Sequence, residues 1–264
     1  MRTDYETLIL ERREPHILVV TLNRPDRSNA LNTQMGSEML ELFSGFYVDQ
    51  EDLRCIILTG AGSKAFCAGG DLKQRNEMTD ESWRRQHAIF EQKTLAMMDC
   101  PIAIVAAVNG AAYGGGLEMA LSADFIYAAR SARFAQTETR LGIMPGAGGT
   151  QNLPRACGVR RAKEIILTAE PFTAQEAFEW GIVNKLCDDE RLMEEAMATA
   201  RKIAANAPIA LRQAKKSIGM ATQVDLKTGY AFEIEAYNRL VPTEDRLEGV
   251  RAFNEKRKPD FKGK

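Results

Sequence analysis

A run of three glycines followed by a glutamate is the segment of this chain best suited to chemistry. Residues 114–116 are glycines, and they stand between a β-branched, apolar segment at 102–108 and a helix-forming segment at 117–121. This order predicts a buried strand, a turn and the start of a helix. The first turn of a helix presents free N–H groups, and glycines let a ligand approach them closely, so an oxygen that gains negative charge could bind here. Glu118 then lies in the first helical turn.

A second glutamate, Glu138, follows Glu118 by twenty residues. Two carboxylates that face one bond can act as a general base and a general acid. The local pattern does not bring the two together, since a glutamate close to Thr137 and Arg140 is typically solvated or paired with a cation. The glycine run also has a plain structural interpretation, in which it forms a tight turn and Glu118 only stabilises the helix dipole.

The elements that must position these residues alternate between strands and helices. The patterns predict strands at 7–11, 16–22, 54–59, 102–108 and 125–129, and helices at 33–48, after an Asn32 cap, and at 80–98. Repeated strand pairs followed by helices predict an α/β core built as a spiral of ββα units. Beyond Gly158 the pattern is almost wholly helical, at 159–168, 173–180, 190–206, 208–220, 225–240 and 243–256. We therefore predict a core at 1–200 and a helical C-terminal region at 201–264, used for packing and assembly.

Composition and charge exclude several classes of protein. The 264 residues are 45% hydrophobic, which is enough for one large core. A net charge of −1 and a pI near 6.2 give no global positive field that would attract nucleic acid or an anionic membrane. The charged first six residues lack the apolar core of a signal peptide, and no apolar run is long enough to cross a bilayer. Five cysteines without a CxxC pair favour reduced thiols, so we predict a cytoplasmic protein.

Two further motifs have alternative interpretations that we set aside. The glycine-rich loop at 60–72 contains Lys64, but no glycine stands directly before that lysine, so it does not form the phosphate-binding loop of an ATPase. His16 and His87 are far apart in the sequence and are predicted to be an ordinary strand residue and a surface residue. No metal site is expected.

An ordered series of segments resembles the crotonase superfamily, most closely the enoyl-CoA hydratases, nearly from end to end. The segments are NRP at 23–25, NALN at 29–32, AFCAGGDL at 65–72, AAVNG at 106–110, GGGLE at 114–118, the segment 134–150 that ends in LGIMPGAGGT, FTAQEA at 172–177, WGIVN at 180–184 and FNEKRK at 253–258. Each motif alone is weak evidence, whereas the series is specific. The chain is therefore identified as a member of this superfamily.

The resemblance implies a coenzyme A thioester substrate, with no separate cofactor because coenzyme A is part of that substrate. It places the thioester carbonyl between the backbone N–H groups of Gly70 and Gly115, which form an oxyanion hole. Glu118 and Glu138 match the two hydratase glutamates. Glu118 is expected to activate water, and Glu138 to deliver a proton to Cα. The adenine is expected near Ala68, with Arg24, Arg27 and Lys73 as candidate neighbours of the phosphates.

The resemblance leaves the reaction open within a class. An enoyl-CoA isomerase commonly needs one carboxylate, and a specialised dehydratase or lyase remains an alternative. A non-enzymatic RNA-binding or scaffold role is opposed by the intact carboxylate pair and by the lack of an extended basic stripe with interleaved aromatics. Family members work in fatty-acid β-oxidation and usually assemble as trimers or homohexamers. Gly70 stands where alanine is common, which leaves the backbone N–H unchanged.

Overall fold

The structure is a computed structural model that describes residues 2–264. Its strands are β1 Leu8–Glu14, β2 Ile17–Leu22, β3 Cys55–Gly60, β4 Ala65–Cys67, β5 Ala103–Val108, β6 Ala111–Tyr113, β7 Phe125–Ala129, β8 Arg133–Ala135, β9 Phe172–Thr173 and β10 Lys185–Cys187. Its helices are α1 Thr33–Val48, α2 Leu72–Arg75, α3 Asp80–Met98, α4 Gly115–Leu121, α5 Gly149–Thr168, α6 Ala174–Glu179, α7 Leu192–Ala204, α8 Pro208–Met220, α9 Leu226–Asn238 and α10 Glu244–Asn254. Short 3-10 helices span Pro25–Arg27, Glu138–Leu141 and Asp189–Arg191.

The strands form two sheets that share the repeating units. The larger sheet has the order β1-β2-β3-β5-β7-β10, and the smaller one has the order β4-β6-β8-β9. In each of the units β3–β4, β5–β6 and β7–β8, the first strand joins the larger sheet, the second joins the smaller one, and a helix follows. This arrangement confirms the predicted α/β class and the ββα spiral. The first pair differs, because β1 and β2 form an antiparallel hairpin within the larger sheet.

The core lies between the larger sheet and the helices that pack on it. The strands β2, β3 and β5 are almost entirely buried and read as continuous apolar runs, as expected of parallel strands covered on both faces. The helices α1 and α3 pack against each other, and Asn32 begins α1 by accepting a hydrogen bond from the Met35 N–H at 2.9 Å. The α3 helix has the predicted bounds.

The C-terminal part departs from the prediction in two respects. The short strands β9 and β10 lie within the region predicted as almost wholly helical, where they extend the two sheets. The predicted domain boundary at residue 200 falls inside α7, whose apolar face packs on β3, β5 and β7. The helices α8 to α10 follow, and α8 and α9 have few buried residues. Within residues 2–264, no helix combines the length and the apolar character that a membrane span requires.

Candidate active site

A cleft of about 530 Å³ opens at the end of the small sheet and is lined by residues of α3 and α4. Its wall contains the backbone that follows β4, the glycines that follow β6, one face of α3 and the segment 141–147. Because β4 and β6 are parallel neighbours, their C-terminal ends lie at the same edge of the sheet. The topology therefore brings Gly70 and Gly115, which are distant in the sequence, to one wall.

The two predicted oxyanion-hole glycines lie close together at this edge. A Cβ atom built on Gly115 would lie 3.9 Å from the Gly70 nitrogen, and one built on Gly69 would lie 3.5 Å from the Gly115 nitrogen. Gly69 and Gly114 precede them with φ values of +93° and +50°, a region that glycine adopts without strain. The turns and caps described for residues 2–264 give neither the Gly70 nor the Gly115 N–H an acceptor. Both donors remain available to a ligand in the cleft.

Glu118 is held on α4 by the segment that leads into α5. Only 3% of its surface is exposed. Its Oε1 atom accepts hydrogen bonds from the N–H groups of Ala147 and Gly149, both at 2.8 Å. Gly149 begins α5, so the carboxylate also lies at the positive end of that helix dipole. The other oxygen, Oε2, lies 3.9 Å from the Cβ position of Gly115, on the side of the cleft.

Glu138 is buried, although its local pattern was that of a surface residue. It begins a 3-10 helix and has 8% of its surface exposed. Its Oε1 atom accepts a hydrogen bond from Gln136 Nε2 at 3.1 Å, while Oε2 has no partner among the described residues. Burial and then the charge of Glu118 raise the pKa of Glu138 to about 7. A carboxyl with this pKa can donate a proton near neutral pH.

The two glutamates line the same cleft from different elements. A Cβ on Gly149 would lie 2.9 Å from Glu118 Oε1 and 3.0 Å from Gln136 Nε2, the amide that also contacts Glu138. Gln136 is completely buried and connects the surroundings of both carboxylates. The fold thus provides two carboxylates and two free N–H donors in one cleft, a set that can transfer protons beside a stabilised oxyanion.

Comparisons with known proteins show which family the chain belongs to. The sequence matches the enoyl-CoA hydratase/isomerase family over residues 12–264. The chain belongs to this family. A short-chain-enoyl-CoA hydratase of Clostridium acetobutylicum is 42% identical, over 97% of this chain and 97% of that protein. A crotonyl-CoA hydratase of Syntrophomonas wolfei is 37% identical, over 97% of this chain and 98% of that protein.

The solved structures of the family share the fold throughout. The crystal structure of an enoyl-CoA hydratase from Bacillus anthracis matches with a TM-score of 0.96 and 44% identity, covering 98% of this chain and 100% of that one. A second enoyl-CoA hydratase, from Mycobacterium smegmatis, matches with a TM-score of 0.90 and 32% identity, covering 97% and 98%. The predicted membership of the crotonase superfamily is confirmed.

The four candidate coenzyme A contacts differ from one another in exposure and in their partners within the protein. Ala68 lies at the rim of the cleft, and Lys73 is exposed on α2. Arg27 is exposed and lies 3.4 Å from Asp26. Arg24 is largely buried and pairs with Asp71 at 2.9 Å, so its charge is already compensated within the protein.

Several polar residues of the site were not anticipated from the sequence. Arg75 and His87 line the cleft, and Lys93 lies fully buried on α3. His87 is a surface residue as predicted, with 38% of its side chain exposed, and its ring also packs beside Gly146 at the cleft. Arg75 follows Asp71 by four residues on α2, the short helix that begins directly after Gly70 and Asp71. This spacing was the only signal in the sequence that placed Arg75 near the site. Among residues 2–264, no group of three or more potential metal ligands occurs.

Proposed function

We propose that this protein is an enoyl-CoA hydratase, a hydro-lyase that adds water reversibly across the 2,3 double bond of a 2-enoyl-CoA thioester. The observation that carries the proposal is the pair of buried carboxylates, Glu118 and Glu138, in the cleft that also presents the free N–H groups of Gly70 and Gly115. The named hydratases among the relatives support the same reaction. This is the hydration step used in fatty-acid β-oxidation.

The reaction requires a base that takes a proton from the water attacking Cβ, and an acid that donates a proton to Cα. Both N–H groups that contact Glu118 Oε1 need that atom as an acceptor, which leaves Oε2 to take a proton from water. The oxygen of that water forms a bond to Cβ, and the electrons of the double bond move into the thioester as an enolate. Gly70 and Gly115 stabilise the enolate oxygen. Glu138, about half protonated at pH 7, then protonates Cα.

Two amide substitutions test the assignment. We expect Glu118→Gln and Glu138→Gln each to lower the hydration of crotonyl-CoA by about 10²- to 10⁴-fold, because each removes a group that transfers a proton. Binding of a saturated acyl-CoA should persist. The loss of absorbance of the conjugated thioester measures turnover. Glu170→Gln is the matched control, since Glu170 is exposed and pairs with Arg140 outside the cleft. Turnover near the wild-type rate in either site variant would refute the roles.

The isomerase alternative is tested with the same protein. An isomerase moves a proton between two carbons and incorporates no water oxygen, whereas a hydratase forms a 3-hydroxyacyl-CoA. Incubation of a 2-enoyl-CoA and of a 3-enoyl-CoA in ¹⁸O-labelled water separates the two reactions by product mass. We expect the label in the product of the 2-enoyl-CoA. Double-bond migration without label would favour the isomerase.

We also propose that the chain assembles as a homo-oligomer, a trimer or a dimer of trimers. A compact monomer of 29.3 kDa is expected to expose about 11,500 Å². This chain exposes 13829 Å², an excess of about 2,300 Å². Large apolar side chains of the last two helices and their ends contribute to the excess, including Leu226, Tyr230, Tyr237 and Phe253. Light scattering should give a mass of three or six chains, and a monomer would contradict the proposal.

The remaining proposals concern coenzyme A and location. Arg27 and Lys73 are the better candidates for phosphate contacts, because Arg24 is paired with Asp71. Substituting either candidate by alanine should raise KM for crotonyl-CoA and leave kcat unchanged, since the phosphates are remote from the reacting bond. A cytoplasmic location is supported by the five cysteines, all free thiols in the described chain.

A further inference from the structure

Arg75 is a cation in the cleft that the hydration mechanism does not use. It ends α2, the short helix that begins directly after Gly70 and Asp71. A Cβ atom built on Gly70 would lie 3.2 Å from both Cζ and Nη1 of Arg75, so the guanidinium borders one half of the oxyanion hole. The glycine at position 70 gives the guanidinium room that an alanine would restrict.

The guanidinium is held firmly on one side. Its Nε atom donates a hydrogen bond to Gln86 Oε1 at 2.9 Å, and its Cζ atom lies 4.4 Å from the ring centroid of Trp83. Gln86 is itself buried and donates to Thr33 at 2.8 Å and to Gln74 at 2.9 Å. Because these contacts hold Nε and one face of the planar guanidinium of Arg75, the side chain is pre-organised before a ligand binds.

The other side of the guanidinium has no hydrogen-bond partner within the described chain. Nη1 and Nη2 donate no hydrogen bond to any described residue, and no carboxylate of the described chain lies within ion-pair distance. Burial lowers the pKa of Arg75 below its usual value, and the charges of Glu138 and Glu118 oppose this effect without removing it. A partly buried guanidinium with two terminal nitrogens open to the cleft can bind one ligand acceptor that takes up both.

An apolar acyl chain would not supply that acceptor. It would cover the guanidinium, remove water from Nη1 and Nη2 and offer no hydrogen bond in return, which is costly for a charged group. A carboxylate matches the planar fork of a guanidinium with two parallel hydrogen bonds. The cleft therefore favours an acyl group that ends in a carboxylate over a hydrocarbon of equal length.

We propose that Arg75 is a specificity-determining residue that binds a carboxylate on the acyl group, and that the preferred substrate class is the mono-CoA thioester of an unsaturated dicarboxylic acid. This proposal rests on the proposed hydratase function, because it assigns the acyl group of that substrate. Arg75 takes no proton in the reaction. It orients the acyl chain, while Glu118 and Glu138 carry out the proton transfers.

The test compares two substrates of equal chain length, the mono-CoA thioester of 2-pentenedioic acid and 2-pentenoyl-CoA. We expect the wild type to show kcat/KM at least about 100-fold higher for the dicarboxylic thioester, because a site built for a charged partner rejects an analogue that lacks it. Arg75→Met should lower kcat/KM for the dicarboxylic thioester and leave kcat/KM for 2-pentenoyl-CoA unchanged, so that the preference is lost. Arg75→Lys should restore it in part. Arg85→Met is the matched control, since Arg85 is exposed on α3 and pairs with Glu81.

Two results would overturn the proposal. One is equal use of both substrates by the wild type, and the other is an equal loss for both substrates in Arg75→Met, as expected if Arg75 only balances the charge of the glutamates. Equilibrium binding of glutaryl-CoA and pentanoyl-CoA provides a second readout that needs no turnover. Tighter binding of glutaryl-CoA that disappears in Arg75→Met supports the carboxylate site even if neither enoyl thioester is hydrated, a result that would refute the hydratase function alone. Equal binding of the two saturated thioesters refutes the carboxylate site.

Discussion

Replacing Lys93 by methionine should stabilise the protein at neutral pH. Lys93 lies on α3 with 0% of its surface exposed, and its Nζ atom has no hydrogen-bond partner among the described residues. Burial lowers its pKa to about 8, although Glu118 and Cys67 act in the opposite direction. Methionine has a similar length and flexibility and carries no charge, so it can occupy the same space without the cost of a buried ammonium group.

The size of the effect follows from the pKa of Lys93 in the two states. The pKa is 10.5 in an unfolded chain and about 8 in the folded protein. Each unit of difference between these two pKa values corresponds to about 1.4 kcal/mol, so the charged side chain costs about 3 kcal/mol of unfolding free energy at pH 7. Between about pH 8 and 10.5 the unfolded state binds more protons than the folded state, so stability rises with pH across this window. Above it the penalty is absent.

Urea unfolding at pH 7 and at about pH 10.5, at one protein concentration, measures both the gain and its pH dependence. We expect Lys93→Met to gain about 3 kcal/mol at pH 7, equivalent to about 6 °C in Tm for a chain of this size, and close to nothing at the higher pH. Lys163→Met is the control, because Lys163 is an exposed residue of α5. Its effect should stay within about 0.5 kcal/mol at both pH values.

Either of two outcomes would refute this reasoning. If Lys93→Met is no more stable than the wild type at pH 7, the ammonium group is compensated and its burial costs nothing. If the gain is the same at both pH values, it comes from packing and not from the ionisation of Lys93. Only a gain that disappears with rising pH agrees with a buried, unpaired ammonium group.

Three further predictions concern the site and its scaffold. Since burial and a neighbouring carboxylate raise the pKa of Glu138 to about 7 in the ligand-free protein, kcat/KM for crotonyl-CoA hydration should fall as the pH rises through about 7, where the proton donor is lost; a flat profile would contradict its role as the acid. Gly116→Ala should prevent stable folding, because its Cβ would lie 2.0 Å from the Cys67 carbonyl oxygen, whereas Gly219→Ala, with nothing within 4 Å on α8, should gain about 0.5–1 kcal/mol in urea unfolding. Glu38→Ala should lower the free energy of unfolding by about 2–3 kcal/mol at pH 7 and by less at about pH 3. Burial acts to raise the pKa of this carboxyl, but hydrogen bonds from the residues that lead into β1 outweigh it and lower the pKa. The stabilising contribution of Glu38 is therefore lost as the pH falls through that pKa.

Local sequence signals predicted most of the secondary structure because the information they need lies within a few residues. Asn32 caps α1 as expected, and α3 has the predicted bounds, since Thr79 accepts a hydrogen bond from the Ser82 N–H directly before an acidic first turn. The strands β9 and β10 were missed because they have only two and three residues. Their extended backbone follows from pairing with β8 and β7, which no local pattern contains.

The site required contacts that the sequence does not show locally. Glu138 is buried because Gln136 and the glycines after β6 enclose it, and none of these contacts can be read from its neighbours in the chain. Only the family resemblance paired it with Glu118. The resemblance did not place Arg75 in the site, because the position of its guanidinium depends on Trp83 and Gln86 of the following helix, α3.

The charges of the cleft form a balance that connects stability with the proposed chemistry. Lys93 is a cation close to Glu118, and burial together with the charge of Glu118 raises the pKa of Glu138 to about 7, so that this second carboxyl carries only part of a negative charge at pH 7. An enolate adds one negative charge during the reaction, and a low-dielectric site stabilises it best when that charge is compensated in advance. Removing Lys93 relieves the cost of a buried cation but also removes this compensation. The stabilised Lys93→Met protein should therefore turn over more slowly, because it lacks a positive charge that stabilises the enolate.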